Sequence, residues 1–326
     1  MSRSGLSKSR LLGGLAGAVA LAAASQGHAL TIIASFDSSI TSASNAAAIE
    51  ASINSALQFY GDFSNPVTVK IGFSLMNSGL GASNTGIYTP TYAQYTAALA
   101  ADSVAHPGNT VLQTGVANLP FGNDLPDVGA TSADMRALGF SAPGIFSGGA
   151  DGLVSLDASI MNFGDTAIAG LYGANSVIQH EVDEVLGVGG PGSLIGQGGF
   201  PNTVGAEDLY RYAGFHAPTL SATTPAYFSI NGGLTDLHDY NVSGSGDLAD
   251  WNTPSCSGTQ FVQNAFGCSG QPQFGLTLSS PEVVALQAIG YNLVASIPEP
   301  SAWTLMIAGF GMMGAMLRRR RGLATA

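Results

Sequence analysis

The sequence is poor in basic residues, with 10 Lys and Arg against 21 Asp and Glu in 326 residues. Three of the ten precede residue 30 and four follow residue 297, so the stretch 30–297 carries a net charge of 3 − 20 = −17. A segment this acidic repels phosphate groups, which argues against nucleic acid and anionic membranes as partners. It suits solubility outside the cell and is compatible with binding of divalent cations.

Cysteine is also scarce. Cys256 and Cys268 are the only two, 12 residues apart, and in an exported protein they predict a disulfide. A two-cysteine zinc site is disfavoured because no second pair of ligands is nearby. The sequence has no G-x-S-x-G motif and no Cys/His pair, so it does not indicate serine or cysteine hydrolase chemistry.

No apolar run reaches the roughly 18 residues of a comfortable membrane span. The run from Leu11 to Ala24 follows three basic residues and precedes Gly27-His28-Ala29. This order predicts a signal peptide over residues 1–29 and export of the chain.

The C-terminal region combines a short motif, an apolar segment and an arginine cluster. The motif is Pro298, Glu299, Pro300 and Trp303; Thr304 to Leu317 and Arg318 to Arg321 follow. Residues 298–326 resemble the PEP-CTERM sorting tail of Gram-negative bacteria. The resemblance implies recognition and removal by an exosortase-type enzyme, transient membrane contact, and delivery to the periplasm, cell surface or extracellular polysaccharide matrix. A single-pass transmembrane helix is the alternative.

Residues Ser176 to Gly190 predict an amphipathic helix that carries a histidine and carboxylates on one side. At about 100° per residue, His180 and Glu184 are separated by about 40°, one turn apart. Apolar side chains gather on the opposite side, which we expect to be buried: Ile178, Val182, Val185 and Leu186.

The string H-E-V-D-E at 180–184 resembles the H-E-x-x-H motif of zinc hydrolases, with Glu in place of the second His. Gly187 stands where the longer metzincin signature has its Gly, and Gly190 where it has its third His. The resemblance implies His180 and Glu184 as Zn²⁺ ligands and Glu181 as the catalytic general base. The alternative is an ordinary helix face on which Glu184 is a surface acid.

A third ligand has to come from further along the chain. Asp208 is the first choice because it follows a Gly-rich stretch; Glu207, His216 and His238 are alternatives. Tyr210 and Tyr212 are candidate oxyanion or substrate donors, with core packing as the alternative. Four further acids indicate a possible Ca²⁺ site in a Gly-rich loop: Asp236, Asp239, Asp247 and Asp250.

The pattern along the chain predicts an α+β fold: a mixed, twisted sheet with packed helices and a loop-rich C-terminal subdomain from about residue 190. We expect strands over 30–36, 67–75 and 151–163, and helices over 46–60, 91–101, 109–119, 132–138 and 281–291. Residues 79–88 are predicted to form a loop. The strand at 151–163, just before the His180 helix, is expected to be the sheet edge beside the cleft.

Taken together, six segments resemble exported bacterial metalloproteases that end in PEP-CTERM tails: 36–40, 180–187, 207–212, 227–233, 246–251 and 285–291. The resemblance implies a zincin-like domain over 30–297 with peptidase activity. With the signal peptide and the zinc-hydrolase motif, it predicts a secreted, zinc-dependent endopeptidase that acts on a protein or peptide, and we expect a monomer. The competing hypothesis is a non-catalytic surface or matrix protein on a degenerate zincin fold.

Overall fold

The computed structural model describes residues 29–119, 126–253, 255–294 and 310. Seven α-helices lie in these residues: α1 (Ser38–Thr41), α2 (Ala46–Leu57), α3 (Tyr92–Ala105), α4 (Thr110–Ala117), α5 (Ser132–Ala137), α6 (Ala174–Leu186) and α7 (Pro281–Ala288). The first strands are β1 (Thr31–Phe36), β2 (Thr68–Leu75), β3 (Gly81–Thr85), β4 (Ile87–Tyr88), β5 (Asp127–Thr131), β6 (Gly152–Leu156), β7 (Met161–Asn162) and β8 (Tyr172–Gly173). The others are β9 (Thr203–Gly205), β10 (Arg211–Gly214), β11 (Ala217–Pro218), β12 (Tyr227–Phe228) and β13 (His238–Asp239). The predicted α+β class is confirmed.

A four-stranded mixed sheet with the strand order β1-β2-β6-β3 is the framework of the fold. β1, β2 and β6 are mutually parallel, and β3 runs antiparallel to β6. Val69, Ile71 and Phe73 alternate along β2 and are fully or almost fully buried, as period-2 patterning requires. The sheet therefore ends, within the described residues, on an antiparallel strand beside α6.

The position of the edge strand corrects two predictions. Residues 79–88, expected to be loop, contain β3 and β4. The strand within 151–163 is β6, which lies inside the sheet between β2 and β3 rather than at its edge. β3 has the sequence G-A-S-N-T, which lacks the β-branched and aromatic residues that usually indicate a strand.

Helix α6 confirms the predicted amphipathic pattern. Ile178, Val182 and Leu186 are completely buried against the core, and the helix packs on both α2 and β3. Gly187 ends the helix with a φ of 111°. This left-handed conformation costs least for glycine, so the turn after α6 depends on that residue.

The C-terminal part of the chain shares the core of the N-terminal part. One hydrophobic cluster extends from Leu30 to Tyr291, and the Tyr291 hydroxyl donates to the Leu186 carbonyl at the end of α6. A second, small sheet has the order β11-β10-β12-β13. Its strands have only two to four residues, and long loops connect them.

The predicted signal peptide and sorting tail lie outside the described residues, apart from residues 29 and 310. Among the helices of the described part, none has the length and apolar character needed to cross a membrane.

Candidate metal centre

His180 is held in one tautomer by the backbone. Its Nδ1 lies 2.9 Å from the Val262 carbonyl oxygen, which can only accept a hydrogen bond, so Nδ1 carries the proton. In the neutral ring, the form that binds a metal, the lone pair therefore lies on Nε2. Metal-binding histidines commonly have this arrangement, since a partner on one ring nitrogen fixes the orientation of the other.

Two carboxylates converge on that nitrogen. Nε2 lies 3.7 Å from Glu184 Oε1 and 3.8 Å from Asp250 Oδ2. Ligand atoms of His180, Glu184 and Asp250 all lie within 4.8 Å of one another, and this is the one such group of metal-ligating side chains among the described residues. Three side chains of types that bind Zn²⁺ or Mn²⁺ thus surround one small space.

A backbone N–H group helps to position Asp250. The Gly190 N–H donates to Asp250 Oδ1 over 3.2 Å, and the next residue, Trp251, is completely buried. Gly190 stands where the metzincin signature has its third histidine, so that position contributes a backbone donor to a carboxylate from another segment. A Cβ at Gly190 would clash with the Glu184 carboxylate, and this close approach explains the glycine.

Glu181 lies beside the cluster and against the edge strand. Only 5 % of its surface is exposed, and its carboxylate contacts Gly81 of β3, where a Cβ would overlap it. The carboxyl group of Glu184 lies close to both Glu181 and Ser83 of β3, which influence its pKa. The structure thus places the predicted base next to a predicted ligand.

A cleft of about 640 Å³ opens onto these groups, and Gly79–Ser83, Tyr172, Phe261 and Phe266 are part of its wall. No Lys or Arg lies among the described residues that line it. Its floor carries Glu181, Glu184 and Asp250 beside the single imidazole of His180, so negative charge is in excess there when the three carboxyl groups are ionised. A divalent cation would balance that charge.

The pKa shifts reflect this excess of carboxyl groups. Burial raises the pKa of Asp250 to about 7, although His180 opposes the shift. Burial and then the neighbouring Glu184 raise the pKa of Glu181 well above its usual value. Burial would also raise the pKa of Glu184, but the neighbouring His180 lowers it overall. Burial of His180 opposes its charge, yet Asp250 and Glu184 raise its pKa well above normal.

Asp208, the predicted third ligand, binds other groups of the protein. Its Oδ1 lies 3.1 Å from Arg211 Nε in a buried salt bridge, and its Oδ2 accepts from the backbone N–H groups of Leu194 and Gly205. Its alternative Glu207 accepts from Gly189 N. The third member of the cluster is therefore Asp250 and not Asp208, because Asp208 and Glu207 bind backbone N–H groups of the preceding segment.

The two predicted oxyanion donors also lie in the core. The Tyr210 hydroxyl donates to the Ala288 carbonyl over 2.7 Å and the Tyr212 hydroxyl to the Asn118 carbonyl over 3.0 Å. Neither residue lines the cleft. The core-packing alternative therefore describes them.

The remaining histidine alternatives are placed outside the cluster. His216 is exposed with a φ of 51°. His238 stacks on Trp251 with 5.4 Å between ring centroids, so it supports the residue after Asp250 without reaching the cluster of ligands.

The four acids considered for Ca²⁺ do not converge. Asp250 belongs to the His180 cluster, and Asp247 lines the cleft. Asp236 interacts instead with Asp239 and His238. Of the four acids that indicate a cation site in this loop, one, Asp250, belongs to the cluster.

The predicted Cys256–Cys268 disulfide is present. It closes the loop that carries Val262, the partner of His180 Nδ1, and this loop forms one wall of the cleft.

Replacing both cysteines by Ser should lower the free energy of unfolding by up to about 3 kcal/mol, since the loop is short. It should also weaken metal binding, because the Val262 carbonyl loses its constraint. Calorimetry and metal titration would measure both effects. Adding reductant to the double variant should change nothing further, and metal binding equal to that of the wild type would contradict the prediction.

Comparison with known proteins bears on the C-terminal region. Residues 296–321 match the PEP-CTERM protein-sorting motif. This motif implies export, recognition by an exosortase, and sorting to the cell envelope or surface of a Gram-negative bacterium. No curated protein and no solved structure matches the chain. The resemblance to metalloproteases therefore stays a prediction from the sequence.

Proposed function

We propose that this exported protein is a metal-dependent peptide hydrolase of zincin type. The observation that carries the proposal is the convergence of His180 Nε2, Glu184 Oε1 and Asp250 Oδ2 on one space at the floor of a cleft. Three protein ligands with an open side are the usual composition of a catalytic zinc site. When bound, the cation would lower the pKa of a water molecule and polarise a carbonyl.

Glu181 is the proposed general base. Its raised pKa brings it towards the operating pH, where a carboxylate can both take and return a proton. In this role it removes a proton from the attacking water and passes it to the leaving amine. Its burial against Gly81 holds the carboxylate beside the ligand cluster.

The edge strand β3 supplies the proposed binding surface for substrate backbone. β3 pairs with β6 on one side and ends the sheet order on the other. Its residues Gly81–Ser83 line the cleft. An extended peptide can add to such an edge through main-chain hydrogen bonds.

Metal removal tests the proposal. Dialysis against a chelator should abolish hydrolysis of casein, and Zn²⁺ or Mn²⁺ should restore it in the wild type but not in His180→Ala. Hydrolysis that survives chelation would contradict a metal mechanism. Metal binding without hydrolysis would favour the surface or matrix protein on a degenerate fold.

A further inference from the structure

Gln263 lies next to two of the proposed ligands, His180 and Asp250. Its side chain is completely buried. The amide Nε2 lies 3.3 Å from His180 Nε2 and 3.0 Å from Asp250 Oδ1. Two ligands bound about 2.1 Å from one metal ion are separated by roughly 3.0–3.4 Å. The end of the Gln263 side chain therefore lies at the spacing of a neighbouring ligand.

The surrounding chain holds this amide in place. Gln263 N donates to Glu282 Oε1 over 2.9 Å, and its carbonyl accepts from Trp251 N over 2.8 Å. On the other side the amide packs on Gly189, where a Cβ would overlap it. Because both the backbone and the far wall are fixed, the amide has little freedom to move away from the cluster.

The amide presents its donor rather than its acceptor in the structure. Nε2 points to His180 and Asp250, whereas Oε1 is buried and has no hydrogen-bond partner among the described residues. A cation between these groups would face an N–H, which repels it. Rotation of the amide by half a turn exchanges two atoms of nearly equal size and brings the oxygen, a good ligand, to that position.

We propose that Gln263 is a fourth protein ligand, through its amide oxygen, of the cation held by His180, Glu184 and Asp250. The inference rests on the proposed metal site and adds a residue that lies outside the zinc-hydrolase motif. The donor set becomes one nitrogen and three oxygens, and an ion with five or six ligands keeps at least one position for water. Oxygen-rich sets favour harder divalent ions, so Mn²⁺ competes better with Zn²⁺ here than at a three-histidine site.

Titration of the metal-stripped protein with MnCl₂ tests this inference. Gln263→Leu should weaken Mn²⁺ binding by at least about 10–100-fold. Water-proton relaxation should show one more water on the bound Mn²⁺ than in the wild type, because water fills the vacated position. Gln263→Glu should retain or strengthen the affinity with no added water. Gln287→Leu, the same change at a partly buried helical site, is the control and should bind as the wild type does.

The outcomes separate this inference from the proposed metal site. If Gln263→Leu binds Mn²⁺ like the wild type, or with the same number of waters, Gln263 is not a ligand although the site stands. If the wild type binds neither Mn²⁺ nor Zn²⁺, the proposed site itself is absent. Should the Leu variant fail to fold, the Glu variant decides, since an added water on its Mn²⁺ would overturn the inference.

Discussion

Replacing Glu181 by Gln should lower kcat for casein hydrolysis by about 10²–10⁴-fold, the usual contribution of a general base. Gln keeps the size and shape of the side chain and places no charge in this buried position, so folding and metal affinity should be preserved. Steady-state kinetics together with metal titration would measure the change. The loss should fall on kcat rather than KM, because Glu181 acts on the attacking water and not on the bound peptide.

Glu50→Gln is the matched control for this variant. Glu50 lies on α2 and is not among the residues that line the cleft, so activity should remain at the wild-type level. A Glu181→Gln variant that keeps its metal and its full rate would show that the general base lies elsewhere.

Replacing Arg211 by Met should lower the free energy of unfolding by about 3–5 kcal/mol, because the change leaves Asp208 as an unpaired buried charge. The Arg211 side chain is 1 % exposed and lies 3.1 Å from Asp208 Oδ1. Its guanidinium also stacks 3.9 Å from the ring centroid of Tyr240 and donates to the Leu248 carbonyl. Denaturant unfolding of the metal-free protein would measure the loss.

Two further variants separate the charge effect from a general loss of packing. Lys70→Met removes an exposed cation and should cost less than about 0.5 kcal/mol. The double variant Asp208→Asn with Arg211→Met should be more stable than the sum of the single losses predicts, because no charge is left unpaired. Simple additivity would contradict a direct coupling of the two residues.

Local patterns allowed much of the fold to be predicted. The period-2 pattern of β2 and the apolar stripe of α6 each arise from residues a few positions apart. β3 was missed because G-A-S-N-T has no apolar alternation, and its strand conformation comes from pairing with β6. That pairing joins segments about seventy residues apart, which no local pattern records.

Local patterns also predict some residues of the candidate site and leave others out. His180, Glu181 and Glu184 were predictable because one helix fixes their spacing. Asp250 and Gln263 reach the site through contacts of Gly190, Trp251 and Glu282 with distant segments. A Gly- and Asp-rich loop did indicate a cation near Asp250, but not which histidine it would share. Asp208 had an equally good sequence signal, and its pairing with Arg211 was visible only in three dimensions.

We propose that Asp250, and not Asp208, completes the metal centre. The most direct measurement is the affinity for Zn²⁺ and Mn²⁺ of metal-stripped Asp250→Asn and Asp208→Asn, compared with the wild type by calorimetric titration. Asp250→Asn should weaken binding by at least about 10–100-fold, since even the loss of a partner that only supports a ligand has that effect. Folded Asp208→Asn should bind as the wild type does. Wild-type affinity in Asp250→Asn with loss of binding in Asp208→Asn would contradict the assignment.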